Sequence, residues 1–257
     1  MLLALDIGNS TIAAALFEGE HLRGTYTAPS TVQRTAEETW HMIETLLLNS
    51  GCSHEDVTHA GISSVVPFLT QRFSELIAHN LGCHPLIING TLDLGFRIHY
   101  RDASTLGADR LCSAAAAFEK FGGPIIVVDF GTATTYGVVD AHGDFLGGAI
   151  ALGVRTTAET LQRRTAQLPS FELQPPTTPI ANDTVSAMQA GTIFGTIDAV
   201  EGMLARIRKA LGIHARAVAT GGLSPVIAPL IPSIEHHEPS LVLEGVRLLT
   251  SRLFRRR

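Results

Sequence analysis

Asp6-Ile7-Gly8-Asn9-Ser10-Thr11 and Asp129-Phe130-Gly131-Thr132-Ala133-Thr134 share the pattern D-[IF]-G-[NT]-[SA]-T, and each closes a short apolar run. Both read as a strand that turns into a hairpin. In the first half, residues 2–7 and 11–17 enclose a polar, glycine-bearing turn, and a third strand is expected near 22–28. In the second half the run 124–128 leads through 135–141 and the turn His142-Gly143-Asp144 into 145–152.

The flanking segments repeat the same order. Thr35-Ala36-Glu37-Glu38 is a capping box, which starts a helix over 36–49 that stops before Gly51. Strand patterns follow at 57–65 and 84–89, separated by a helix from Pro67 to about Asn80, where proline suits the first turn. The second half has helical patterns at 154–168 and 184–211, a strand at 215–219 and a last helix from about Ser240. A strand, hairpin and helix order that occurs twice implies an internal duplication at a period far too long for a solenoid. The proline-rich stretch 171–179 lies inside the second half and is expected to be a loop rather than a boundary.

A carboxylate at the end of a buried strand, followed by a glycine and hydroxyl turn, can hold a divalent ion while N–H groups and hydroxyls contact phosphate oxygens. One such turn would be read as an ordinary β-turn; its repetition in both halves favours two turns that clamp one polyphosphate. Ala219-Thr220-Gly221-Gly222-Leu223 adds a strand ending in two glycines, where a flat group such as adenine could approach the backbone.

Composition narrows the classes. The 257 residues are 45% hydrophobic and 17% charged with a formal net charge of −5, which describes a well-buried globular chain without a nucleic-acid partner. Cys52, Cys83 and Cys112 form no CxxC pair, so neither a disulfide framework nor a zinc site is expected. The N-terminal apolar run is broken by Asp6 and no spanning run occurs, which suits a cytoplasmic protein that does not engage a membrane. The lysines are Lys120 and Lys209, neither in a P-loop nor in a VAIK-like strand. If the protein handles nucleotide phosphates, it does so without the lysine of P-loop enzymes and protein kinases.

Two phosphate turns with a downstream Thr-Gly-Gly resemble the actin-like superfamily of sugar kinases, chaperone ATPases and actin. Within it, Gly107-Ala108-Asp109-Arg110-Leu111 before an alanine-rich helix, Asp129 to Thr135, Gly147-Gly148-Ala149-Ile150, Thr165-Ala166-Gln167-Leu168-Pro169 and Ala187-Met188-Gln189-Ala190-Gly191 resemble the type III pantothenate kinases in order and spacing. The resemblance implies an α/β chain of two similar ribonuclease H-like, actin-like lobes with a cleft between them, at 1–122 and 123–257. It implies transfer of the γ-phosphoryl group of ATP to pantothenate, the first step of coenzyme A synthesis. Alternatives are another actin-like kinase, for example one acting on an amino sugar, and a non-catalytic regulator that retains the fold.

Residue by residue, the resemblance implies that Asp109 is the general base and that Tyr100, Gly107, Ala108, Asp109, Arg110 and Thr184 contact pantothenate. Asp6, Ile7, Gly8, Asn9, Ser10, Thr11, Ile12 and Ala13 would follow the ATP phosphates, with Thr132 as a second phosphate contact. Asp6 would bear on Mg²⁺ through water, and Asp129 would hold a monovalent cation, K⁺ or NH₄⁺. Locally, Asp109 and Arg110 read as a helix-capping Asp and a surface Arg, and the helix dipole would favour an ionised Asp109. The apolar positions Met188, Ile193, Phe194, Ile197 and Val200 read as a packing face, which in this family pairs with a second subunit to make a homodimer. Thr184 would then reach the neighbour's pantothenate pocket, although after Asn182-Asp183 it also reads as a plain helix start. The chain departs from the family pattern at Asp102-Ala103, Ser113 and Leu152, near the pantothenate side. His236-His237 is expected to be a solvated loop pair.

Overall fold

The computed structural model describes residues 1–165 and 168–256 and divides into two units, Met1–Glu119 with the C-terminal helix, and Lys120–Ser240.

In the first unit, strands β1 (Leu2–Ile7), β2 (Thr11–Glu18), β3 (His21–Pro29), β4 (His59–Ser64) and β5 (Leu86–Ile87) form one sheet in the order β3-β2-β1-β4-β5. β1 runs antiparallel to β2 and parallel to β4, so it is hydrogen-bonded on both edges. Such a central strand is apolar along its length, as Leu-Leu-Ala-Leu is, with Asp6 near its exit. Helix α1 (Ala36–Asn49) starts on the expected capping box: Glu38 N donates to Thr35 Oγ1 at 3.1 Å and Thr35 N to Glu38 Oε2 at 2.7 Å. Helix α2 (Pro67–Leu81) buries Leu69, Phe73 and Ile77, spaced four apart, against the same core as Leu3, Leu5 and Ile7. Full burial of each such side chain contributes about 1.5–3 kcal/mol.

Helix α3 (Ala108–Phe121) follows a loop with turns at 89–91 and 102–105. The second unit repeats the plan: β6 (Ile125–Phe130), β7 (Ala133–Val139), β8 (Phe145–Leu152), helix α4 (Val154–Arg164), helix α5 (Thr184–Leu211), β9 (Arg216–Thr220), the short helix α6 (Ser224–Ile227) and β10 (His236–His237). Its sheet order, β8-β7-β6-β9-β10, matches that of the first unit strand for strand. The duplicated turns differ by one residue. Ile7 pairs with Ile12 across the first hairpin, whereas Phe130 pairs with Thr134 across the second.

Four features depart from expectation. The last helix, α7 (Leu241–Arg255), packs on β1 and β4 in the first unit, so the second unit ends at Ser240 and does not run on to 257. This close packing depends on residues without side chains. A Cβ on Gly61 of β4 would lie 2.0 Å from Thr250 Oγ1, and one on Gly245 of α7 would lie 2.0 Å from the Cys112 carbonyl oxygen of α3. His236-His237 is a sheet edge rather than a loop: the His236 ring stacks on Phe121 at 4.1 Å, and His237 Nε2 lies 2.8 Å from Ser224 Oγ. Helix α4 stops at Arg164 because Thr165 is extended; Ala166 and Gln167, within the Thr165–Pro169 pattern, lie outside the described residues, as does Arg257. Lastly, of the apolar positions expected to meet a second subunit, Ile193, Ile197 and Val200 pack into the core of their own unit, while Phe194 stays half-buried.

Among the described residues, no helix is long and apolar enough to cross a membrane. Replacing Gly245 with Ala should force α7 off the α3 backbone and destabilise the protein by about 1–3 kcal/mol, the usual cost of overpacking. Denaturant titration of the two proteins measures this, and an unchanged midpoint would show that α7 does not press on α3.

Candidate functional site

In the first unit the candidate residues gather at the exit of β1. Gly8 N donates to the Thr11 carbonyl at 2.9 Å, which closes a turn whose Asn9, Ser10 and Thr11 are exposed while Ile7 and Ile12 below them are buried. Asp6 lies opposite Ser63 of the parallel neighbour β4, and Ser63 Oγ donates to Asp6 Oδ1 at 2.9 Å. Ala13, the antiparallel partner of Asp6, is half-buried.

Asp109 is in the first turn of α3, and Gly107 makes its position possible. A Cβ on Gly107 would stand 2.3 Å from Asp109 Oδ1, so the space vacated by the glycine is taken by the carboxylate itself, in addition to any room it leaves for a substrate. Asp109 Oδ1 accepts from Arg110 N at 2.9 Å. The helix terminus was expected to favour the ionised carboxylate; burial instead pushes its pKa up, with the Arg110 N–H and charge pulling back only in part. Arg110 is 6% exposed and thus no surface residue. Ala108 is buried too, whereas Tyr100 is exposed in the preceding loop.

Behind Asp109 lies Cys112, which is fully buried. Burial first, then the charges of Asp6 and Asp109, raise its thiol well above the usual value, while the nearby Ser63 hydroxyl acts the other way. Ser63 and Cys112 had not been singled out in the sequence. The signal available was the second duplicated strand: His59-Ala60-Gly61-Ile62-Ser63 and Arg216-Ala217-Val218-Ala219-Thr220 each put a hydroxyl beside the strand-end Asp. Of the departures from the family pattern, Asp102 caps a turn by accepting from Ser104 N and Oγ at 3.0 and 2.6 Å. Ser113 is buried on α3 and donates to the Arg110 carbonyl at 3.3 Å, and Leu152 is exposed.

The second unit arranges Asp129 in the same way. Asp129 pairs with Thr135 and with Thr220. Gly221, at φ +92°, would with a Cβ meet Asp129 Oδ1 at 2.3 Å and Phe130 N at 2.7 Å. The glycine expected to admit adenine therefore first admits a carboxylate and the β6 backbone. Thr132 is exposed in its turn, which α4 anchors: Gly153 N and Thr156 Oγ1 donate to the Thr132 carbonyl at 3.2 and 2.7 Å. Beside Gly221-Gly222, a cavity of about 360 Å³ is walled by Arg155, Glu159 and Gln162 of α4, by Phe171 and Leu173, and by Leu223. The proline-rich loop is thus seated on its unit, with Gln189 Nε2 donating to the Glu172 carbonyl at 3.0 Å. Thr184 is exposed at the first position of α5, where Asp183 caps the helix by accepting from Ser186 N at 3.0 Å.

Two ions can be tested against these residues. Among the described residues no cluster of three or more His, Cys, Asp or Glu could enclose a metal. A single strand-end carboxylate with exposed hydroxyls nearby fits a divalent ion that keeps water and phosphate oxygens as most of its ligands. Beside Asp129, Thr220 Oγ1 is buried without a hydrogen-bond partner, and an oxygen in that position next to a carboxylate fits a monovalent cation.

A family model described as type III pantothenate kinase matches residues 2–206. A type III pantothenate kinase of Thermomicrobium roseum is 42% identical over 255 residues, covering 99% of this chain and 98% of its own. Among solved structures, a conserved putative Baf family transcriptional activator from Campylobacter jejuni aligns with a TM-score of 0.62 at 18% identity over 98% of this chain and 99% of its own. A ROK family glucokinase from Streptomyces griseus, solved with glucose and AMPPNP, aligns at 0.54 and 13% identity over 98% and 99%. At these identities the two structures bear on the fold alone, which is the two-lobed α/β fold of the actin-like kinases.

Because its folded pKa is raised, Asp109 binds its proton more tightly in the folded than in the unfolded chain. Its contribution to stability is fully present below the ordinary carboxylate value of about 3.9 and is lost as pH rises through the folded pKa. Asp109→Asn removes that loss, so the variant should melt above wild type at neutral pH. The difference should shrink on acidification. Thermal scans across pH check both, and a variant that melts lower than wild type at neutral pH would contradict the burial cost.

Proposed function

The chain belongs to the type III pantothenate kinase family, and from that membership we propose how its residues carry out the ATP-dependent phosphorylation of pantothenate in coenzyme A biosynthesis. The observation that carries the reading is the half-buried Asp109 next to the buried Arg110 at the start of α3, in the same unit as the Asp6 turn. Asp109 accepts the proton of the terminal hydroxyl of pantothenate as that oxygen bonds to the γ-phosphorus and the bond to the β-phosphate oxygen breaks, releasing ADP. A raised carboxylate pKa suits a base that must take up a proton near neutral pH. Arg110, whose guanidinium stays charged, binds the pantothenate carboxylate, and Tyr100, Gly107 and Ala108 line the same substrate.

Residues 6–13 follow the ATP phosphates, with Asn9, Ser10 and Thr11 supplying exposed donors and Thr132 adding a hydroxyl. Asp6 orients water on Mg²⁺, which when bound neutralises charge on the phosphates. Asp129 and Thr220 hold K⁺ or NH₄⁺, which offsets the negative charge of a strand-end carboxylate close to phosphate. The free thiols accord with a cytoplasmic location.

The enzyme works as a homodimer in this reading, and α5 supports it from the side opposite its packed face. Gly191, Gly195 and Gly202 have nothing within 4 Å of an added Cβ. Each glycine costs a helix interior about 1 kcal/mol relative to alanine, a cost that nothing in its own unit offsets. Close approach of a second copy would offset it, and the exposed Ile150, Leu152, Ile180 and Val185 add apolar surface in the same unit. Thr184 of each copy then completes the pantothenate pocket of the other.

The direct test is ADP release on adding pantothenate, in KCl and in NaCl. Pantothenate-dependent turnover should fall strongly in NaCl, and Asp109→Asn should lower it by about 10²–10⁴-fold, the range for a general base. ADP release driven by a sugar and not by pantothenate would overturn the substrate assignment. Shared sites are checked by mixing Asp109→Asn with Thr184→Arg protein. Verified heterodimers should regain up to about half of wild-type activity, since one site receives both defects and the other none; heterodimers without activity would remove Thr184 from the pocket.

A further inference from the structure

We propose that Ser63 is a positioning residue for the phosphoryl-transfer site, a buried hydroxyl that sets the rotation of the Asp6 carboxylate. The proposal rests on the reading of Asp6 as the carboxylate that bears on the nucleotide-bound metal.

The geometry begins in the sheet. β1 and β4 are parallel neighbours in register, with Asp6 opposite Ser63, so the two side chains leave the sheet on the same face one strand apart. Ser63 is fully buried, and its Oγ donates to Asp6 Oδ1 at 2.9 Å. A hydrogen bond from a buried donor to a carboxylate is among the stronger ones a protein makes. It restrains the terminal torsion of Asp6, which is otherwise soft.

The helix that carries Asp109 passes beside this pair. Cys112 lies one turn beyond Asp109, is fully buried, and is close enough to Ser63, Asp6 and Asp109 for all three to act on its thiol. The α3 backbone at Cys112 is in turn pressed by α7 at Gly245, where even one added carbon would stand 2.0 Å from the Cys112 carbonyl oxygen. Ser63 therefore bonds to Asp6 in the pocket that Cys112 of α3 also lines.

The duplicated unit provides an internal comparison. Thr220 is the register partner of Asp129 as Ser63 is of Asp6, and it is equally buried. Its Oγ1 makes no hydrogen bond. A buried hydroxyl beside a strand-end carboxylate is thus common to both halves, but the hydrogen bond to that carboxylate belongs to Ser63. The shared topology alone does not impose it.

The test uses full-length protein and Mn²⁺ as a spectroscopic probe, read by electron paramagnetic resonance in the presence of ADP, alongside steady-state kinetics and thermal melts. Ser63→Ala should weaken Mn²⁺ binding to the protein–ADP complex by about tenfold, as expected for loss of a hydrogen bond to a charged group. It should lower kcat while leaving KM for pantothenate within about twofold of wild type, because Ser63 reaches Asp6 and not the substrate. Ser63→Thr, which keeps the hydroxyl, should retain Mn²⁺ affinity. If Ser63→Ala does not fold, Ser63→Cys fills the same space with a weak donor and should show the same loss. Folded Ser63→Ala or Ser63→Cys protein with wild-type Mn²⁺ affinity would overturn the proposal. Asp6→Asn separates this from the underlying reading: if it weakens Mn²⁺ binding while the Ser63 variants do not, the positioning role alone fails. If Asp6→Asn also binds Mn²⁺ as wild type, the metal role of Asp6 falls and the proposal with it.

Discussion

Asp109 and Asp129 each occupy space that a Cβ on a nearby glycine would fill, at 2.3 Å from Gly107 in one unit and 2.3 Å from Gly221 in the other. A carboxylate needs hydrogen-bond donors close by if it is to leave water, and backbone N–H groups are the closest donors available. Glycine is the residue that lets a side chain settle directly against backbone. In the second unit the glycine also takes a positive φ, so the turn and the vacancy arise from one residue. Asp109 lies in the first turn of α3 and Gly221 just before α6, so each close approach falls where a helix begins.

The unit that holds Asp6 and Asp109 gives two carboxylates different surroundings. Asp6 accepts a hydrogen bond from the Ser63 hydroxyl, whereas Asp109 is dominated by burial, which favours its proton. Different environments that separate two like groups are a general way of giving one the role of charge carrier and the other that of proton acceptor. Cys112, buried near both, keeps its proton and so adds no third negative charge to the cluster.

Much of this was legible in the sequence because it depends on local signals. The capping box at Thr35 and Glu38, proline at the start of α2 and the alternation around the two D-x-G turns each fix an element through short-range chemistry. The match to the family motifs gave the fold and the chemistry. What escaped was non-local. Nothing in the sequence of α7 says that it returns to β1 and β4, and the apolar positions of α5 are equally compatible with packing inside the unit or outside it; only the register of neighbouring elements decides. Ser63 was missed for the same reason, since its meaning comes from lying opposite Asp6 across a parallel strand pair 57 residues away in sequence. His236-His237 read as loop because two residues carry no periodicity, yet a parallel edge beside β9 recruits them.

The return of α7 to the first unit makes that unit discontinuous, with Lys120–Ser240 inserted between its parts. During synthesis the strands β1 to β5 emerge first but lack the helix that covers β1 and β4 until residues 241–255 have been made. The inserted unit is contiguous and can close earlier, as domains tend to fold as units while the chain is being made. The order of assembly is then the reverse of the order of translation: the half bearing Asp6 and Asp109 is begun first and finished last. Until then its apolar β1–β4 face is a nascent-chain surface of the kind that chaperones shield.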